Sequence, residues 1–248
     1  LVTGVKRDIA LLDRVEADAG DEITVLDVSL DKNRAGLIRV LERGARVFYV
    51  DHHFAGELPE SPRLTTAIDT SADICTSMLV DRHLNGRFRR WAVTGAFGDN
   101  LDRSARALAH GLVDDATADV LKKLGTYLNY NGYGSSLDDL HFRPADLYRK
   151  VSLFEDPLDF VTGDPTSFDK LEAGYQDDMA AAQATIPVRP PGDVGVYIFP
   201  NEQWARRVSG VFSNDLATGA PTRAHAVLTH RADGTFLVSV RAPLANKT

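Results

Sequence analysis

The sequence predicts an α/β fold in two unequal parts, and three observations carry the prediction. Short β-branched runs alternate with stretches of helical periodicity in the first part of the chain. A Pro- and Gly-rich stretch, "IPVRPPGDVG" (186 to 195), reads as a linker. Beyond it the pattern becomes strand, helix, strand, strand.

"EITVLDVS" (22 to 29) is the first strand of the alternation, and "NRAGLIRVLERGA" (33 to 45) follows with helical spacing and Gly44 placed to end the helix. "RVFYV" (46 to 50) is the next strand. Strand, helix, strand in this order is the crossover unit of a parallel sheet, which gathers the carboxyl ends of its strands on one rim. "LTTAID" (64 to 69) and "WAVTGAFGDN" (91 to 100) extend the alternation as third and fourth strands, separated by a helix over 73 to 84. From about 104 to 186 the periodicity is mostly helical, best in "DDATADVLKKLGTYLNY" and "TSFDKLEAGYQDDMAAAQAT". After the linker come "VGVYIFP", "EQWARRVSGVFSNDLATG", "AHAVLTH" and "TFLVSVRA". The expected organisation is a parallel-sheet domain over 1–130, a helical connector and linker over 131–190, and a smaller α/β domain over 191–248.

Composition narrows the function. The 248 residues carry a formal net charge of −7, so no global positive field exists to hold a long phosphate backbone. Short nucleic acids, nucleotides or other small phosphorylated molecules stay open as partners. No run of about 18 apolar residues is present to span a bilayer, and the first residues lack a secretory layout. The expected setting is cytoplasmic, with no membrane partner. The single cysteine, Cys75, lies among apolar residues at helical spacing in "ADICTSMLVDRHL" and reads as a buried structural thiol.

Three stretches share one design, an apolar run followed by acidic or imidazole residues. They are "TVLDVS" with Asp27, "FYVDHH" with Asp51, His52 and His53, and "GAFGDN" with Asp99. Each aspartate alone could simply cap a turn or helix. Together, on the rim of a parallel sheet, their carboxylates would repel, and a cation is their natural partner. Carboxylate oxygen mixed with imidazole nitrogen suits Mn²⁺, Fe²⁺, Co²⁺ or Zn²⁺ better than Ca²⁺.

"VDHH" resembles the motif of the DHH phosphoesterases, a family of exonucleases, oligoribonucleases, cyclic-dinucleotide phosphodiesterases and manganese-dependent pyrophosphatases. Asp27, 24 positions before Asp51, and Asp99, 46 positions after His53, are similar in order and spacing to two further motifs of that family. The resemblance covers roughly residues 1 to 100. It implies that Asp27 bridges two metal ions, Mn²⁺ by expectation with Mg²⁺ or Co²⁺ as substitutes, and that His52 and Asp99 are ligands of one of them. It also implies that Asp51 lies behind His52 and orients it, and that His53 meets the phosphate. Asp27, Asp51, His52, His53 and Asp99 would then form the catalytic set of a two-metal phosphoester hydrolysis with no covalent enzyme intermediate.

One departure stands out. The family's first acidic motif has no counterpart before Asp27: Asp8, Asp13, Asp18 and Asp21 lie in a helical or loop-like stretch, and the motif is expected upstream of Leu1.

The last segment resembles the DHHA1 substrate-binding domain, through "SGVFSNDLA" on a helix and "VSVRA" on a later strand; the family's glycine-rich loop with histidine is not seen before Thr248. By that resemblance Ser209, Asn214 and Arg241 bind substrate. Arg241 could offer a bidentate fork to a phosphate or base, or be a surface arginine. Arg206 and Arg207 beside Trp204 could grip a nucleotide, although Trp204 reads better as core. Tyr130 and Tyr133 in "LNYNGYG" could stack a base, but a turn after a helix explains them more simply. Lys6 and Arg7 could approach a phosphate at a strand end. His83, His110, His141, His225 and His230 show no ligand spacing.

The expected function is therefore metal-dependent hydrolysis of phosphodiester or phosphomonoester bonds in short oligonucleotides, single-stranded nucleic acid or nucleotides; the sequence leaves the oligomeric state open, a homodimer included. The alternatives are a nucleotide-binding or sensor module without catalysis and a phosphatase of phosphorylated nucleosides.

Overall fold

The computed structural model describes residues 1–188 and 194–243. The middle of the expected linker and the last residues of "RAPLANKT" lie outside the described residues. The fold is α/β, with one parallel sheet and one small mixed sheet, each three-stranded. The chain divides into two compact units: residues 1–132 with 142–168, and residues 133–141 with 169–248.

In the first unit, β1 (Glu22–Leu26), β2 (Arg46–Asp51) and β3 (Leu64–Ile68) form the parallel sheet in that order. Leu26 pairs with Val50 and Asp51 with Ile68, so the residues that follow each strand emerge on one rim. Between β1 and β2 runs α1 (Leu30–Glu42), whose Leu30, Asn33, Leu37, Val40 and Leu41 are buried at helical spacing. It closes at Arg43, and Gly44 follows with φ +95°, the left-handed position a helix end favours.

The segment before β1 is strapped to α1 rather than paired into the sheet. Buried Asn33 accepts from the Leu12 amide and donates to the Ile9 carbonyl. Arg39 donates to the carbonyls of Leu12, Asp13 and Val15. Tyr49 of β2 is fully buried beneath the rim and donates its hydroxyl to the Val28 carbonyl at 2.7 Å.

The expected fourth strand is a helix. Residues 91–98 belong to α3 (Arg89–Gly98), preceded by α2 (Thr76–His83) and followed by α4 (Asp102–Ala109) and α5 (Asp115–Tyr130). A short continuous apolar run does not by itself separate a buried strand from a buried helix. Here Ala92, Val93, Ala96 and Phe97 are buried, a helical spacing. Small residues then let α3 meet α5 closely: a Cβ on Gly98 would lie 2.7 Å from the Gly125 carbonyl oxygen. The helix closes at Asp99, with Asn100 in the left-handed region at φ 60°. Asp99 thus reaches the rim from the end of a helix.

Three further helices follow: α6 (Pro144–Val151), α7 (Pro157–Gly163) and α8 (Pro165–Ala184). Among the described residues, no helix is long and apolar enough to cross a membrane.

The second unit holds β4 (Val194–Phe199), α9 (Gln203–Gly219), β5 (Ala224–His230) and β6 (Phe236–Arg241), the expected strand, helix, strand, strand. β4 and β5 are parallel, β5 and β6 antiparallel. Phe199, Val208, Phe212 and Val227 are buried. Trp204, half-buried, packs its ring 5.2 Å from that of buried Phe199.

Candidate metal centre

Asp27 follows β1 with φ 59°, a left-handed conformation that Asp tolerates better than most residues. Its amide donates to the Val50 carbonyl, which ties the turn to β2, the strand that carries Asp51, His52 and His53 at its end. The turn leaves the Asp27 side chain 61% exposed on the rim.

His52 stands at the middle of the site. Its Nε2 is 3.4 Å from Asp27 Oδ1 and 3.5 Å from Asp99 Oδ2. Its Nδ1 is 2.9 Å from the Ile74 carbonyl oxygen. A carbonyl can only accept, so Nδ1 carries the proton, and in the neutral ring the lone pair lies on Nε2, facing both carboxylates. Separations of 3.4 and 3.5 Å exceed those of good charge-assisted hydrogen bonds. The arrangement suits two carboxylates and an imidazole directed at a shared electrophile.

The ligating atoms of Asp27, His52 and His53 all lie within 4.8 Å of one another, a group able to hold a metal ion. Their mixed oxygen and nitrogen donors suit a divalent transition metal. The pKa of Asp99 points the same way. Burial pushes its carboxyl above the usual carboxylate range; the charge of His52 opposes this, that of Asp27 adds to it, and Lys6 and His53 oppose it. A cation beside Asp99 would favour its ionised form.

Asp51 departs from the role the resemblance implies. It is fully buried, and its Oδ1 accepts from Nδ1 of His53 at 2.7 Å; it orients His53, not His52. The ring of His53 is fixed with Nε2 as its free position. His52 is oriented instead by the backbone of Ile74.

A residue that the sequence pattern did not single out completes the site. Thr76, the first residue of α2 and only 6% exposed, donates its hydroxyl to Asp27 Oδ1 at 2.8 Å. No local motif marks it, since its partner lies 49 positions away in sequence. Lys6 donates to Asn129 Oδ1 at 2.6 Å and bears electrostatically on Asp99. A cavity of about 440 Å³ opens beside Asp27 and Asp99, walled by Leu26, Val80, Leu84, Phe88, Trp91 and Leu128.

Asp8, Asp13, Asp18 and Asp21 are not among the residues that form this group of ligands. Asp8 pairs with Arg14 at 3.0 Å, and Asp21 Oδ2 accepts from the Asp18 amide. Cys75 is buried, and burial pushes its thiol pKa up, as befits a structural cysteine.

In the second unit, Arg241 and Asn214 meet: Arg241 Nε donates to Asn214 Oδ1 at 2.7 Å, and Nη1 donates to Ser239 Oγ at 3.2 Å. Ser209 is 2% exposed, on the buried side of α9, so it does not join them at the surface. Arg206 forks onto both oxygens of Asp139, and Arg207 onto both oxygens of Asp178. These guanidinium groups are held by protein carboxylates. Tyr130 is buried, and the following Asn131 bridges to the backbone of Phe142, which is the turn reading of "LNYNGYG".

Strand ends and a helix end that gather carboxylates and imidazoles around one lone pair define a candidate metal centre. The fold is similar to a solved one: the crystal structure of exonuclease RecJ bound to manganese aligns with a TM-score of 0.51 and 17% identity. The alignment covers 84% of this chain and 61% of the exonuclease, and at this identity it shows likeness of fold. No family model and no curated protein matches the sequence.

Proposed function

We propose that this protein is a DHH-type, manganese-dependent phosphoesterase acting on short oligonucleotides, single-stranded nucleic acid or nucleotides. The observation that carries the reading is the Nε2 lone pair of His52, fixed by the Ile74 carbonyl and aimed between Asp27 and Asp99. The likeness of fold to a manganese-bound exonuclease supports it.

Manganese, held by Asp27, His52 and Asp99, would acidify water and neutralise charge on the phosphoryl group. The protein's own residues supply the rest. His53, held by Asp51 through Nδ1, offers Nε2, which in the imidazolium form donates to a phosphoryl oxygen. The cavity beside Asp27 and Asp99 has apolar and aromatic walls suited to the base or sugar attached to that phosphate. Arg241 and Asn214 are proposed as a further substrate contact of the second unit.

A second reading, nucleotide binding without turnover, has one observation in its favour. Among the described residues the metal-type donors gather as one group, Asp27 with His52 and His53, while Asp8 pairs with Arg14 and Asp21 with the Asp18 amide, which suits a single cation more than two.

Hydrolysis of RNA and DNA oligomers, cyclic dinucleotides and bis-p-nitrophenyl phosphate, with Mn²⁺ and with a chelator, separates the two readings. Turnover that needs Mn²⁺ and is lost in Asp27→Asn, which keeps the left-handed turn, is the expected result. Binding of nucleotide with no turnover of any of these substrates selects the second reading.

A further inference from the structure

We infer that Thr76 is a positioning residue for the metal centre, fixing the orientation in which the Asp27 carboxylate faces the ion. The inference rests on the metal-site reading above and deepens it. Asp27 sits at a left-handed turn with its side chain 61% exposed, so nothing in its own packing fixes the carboxylate. An exposed carboxylate turns freely about its terminal bond, and holding it costs conformational entropy. The hydroxyl of Thr76 meets that cost in advance by donating to Oδ1 at 2.8 Å, and Oδ1 is the oxygen 3.4 Å from His52 Nε2.

Thr76 can do this because it is itself held. It is 6% exposed at the first turn of α2, and its β-branched side chain has few rotamers to choose from. Two residues before it, the Ile74 carbonyl fixes the His52 ring. One short junction, from Ile74 to Thr76, therefore orients a ligand from each of two neighbouring strands. The carboxylate is an acceptor, so the hydroxyl must be the donor, and a group of the same shape without a proton to give cannot replace it.

The test is Mn²⁺ binding to the full chain, followed by the electron paramagnetic resonance signal of the free ion, for the wild type, Thr76→Val and Thr76→Ser. Valine keeps the shape and removes the donor; serine keeps the donor. The dissociation constant is expected to rise about 10- to 100-fold in Thr76→Val, the range for partners that orient metal ligands, and to stay within about 3-fold of wild type in Thr76→Ser. The metal-free melting temperatures of all three are expected to agree within a few degrees. Equal Mn²⁺ affinity in wild type and Thr76→Val overturns the positioning role and leaves the metal site standing. Loss in both variants also overturns it, since packing and not the hydroxyl would then be at stake. A wild-type chain that binds no Mn²⁺ overturns the metal-site reading itself, and the inference with it.

Discussion

The closeness of α3 and α5 can be tested by one methyl group. A Cβ on Gly125 would overlap the Thr94 carbonyl oxygen and lie 2.9 Å from the Gly98 amide nitrogen. Both obstacles are backbone of the facing helix, so no rotamer change makes room and the helices must part. Overpacking of this kind costs typically 1–3 kcal/mol, and a backbone-to-backbone clash belongs at about the upper value. Against it stands the better helix propensity of Ala over Gly, about 1 kcal/mol. The net expectation for Gly125→Ala is a loss of about 2 kcal/mol, or roughly 1 M in a urea midpoint at a slope near 2 kcal/mol/M. Gly219, the last residue of α9, has nothing within 4 Å of an added Cβ, and Gly219→Ala is the control, expected to be neutral or slightly stabilising. Urea unfolding of the full chain followed by circular dichroism reads both. A midpoint for Gly125→Ala equal to or above wild type would refute the close approach of the two helices, and with it the placement of Asp99 at the end of α3.

Two other perturbations give distinct outcomes. Asp51→Asn removes the charge behind His53 while leaving the Ile74 carbonyl on His52, so turnover is expected to fall about 10- to 100-fold with Mn²⁺ affinity nearly unchanged; a parallel loss of Mn²⁺ affinity would refute the phosphate-facing role of His53 and make it a metal ligand. Burial pushes the Asp139 carboxyl up, but the Arg206 guanidinium and the amides of Ser135 and Ser136 outweigh it and hold its pKa below the usual range. A depressed folded-state pKa gives stability that is present above the unfolded value and lost as pH falls through the folded one. Asp139→Asn should therefore cost on the order of 3 kcal/mol near neutral pH, with the gap to wild type closing below the ordinary carboxylate range; a gap independent of pH in urea titrations would contradict this.

The sequence makes the strand-end chemistry legible because parallel strands with polar termini leave a local trace. Asp27, His52 and Asp99 were expected to converge, and His52 Nε2 lies 3.4 and 3.5 Å from the two carboxylates. What eluded pattern reading was the partner of each group. Asp51 serves His53, two residues on, and not its immediate neighbour, because alternate residues at a strand end share a side. Thr76 and the Ile74 carbonyl act across long sequence separations, where periodicity carries no signal. The segment 91–98 was expected as a strand because it is short and largely apolar, a pattern that a buried helix shares; as a helix it buries Ala92, Val93, Ala96 and Phe97, and Gly98 meets Gly125 of α5 closely. In the second unit the element order was readable, whereas the capture of Arg206 and Arg207 by Asp139 and Asp178 depended on residues that only folding brings near.

The left-handed backbone at Asp27 narrows what natural variation can do at that position. Glycine, asparagine and aspartate adopt such a conformation at little cost, and of these only aspartate carries a charge. Glutamate would keep the charge but strain the bend and overreach. Asparagine there is thus expected to keep the bend while removing the negative charge that the proposed metal centre requires.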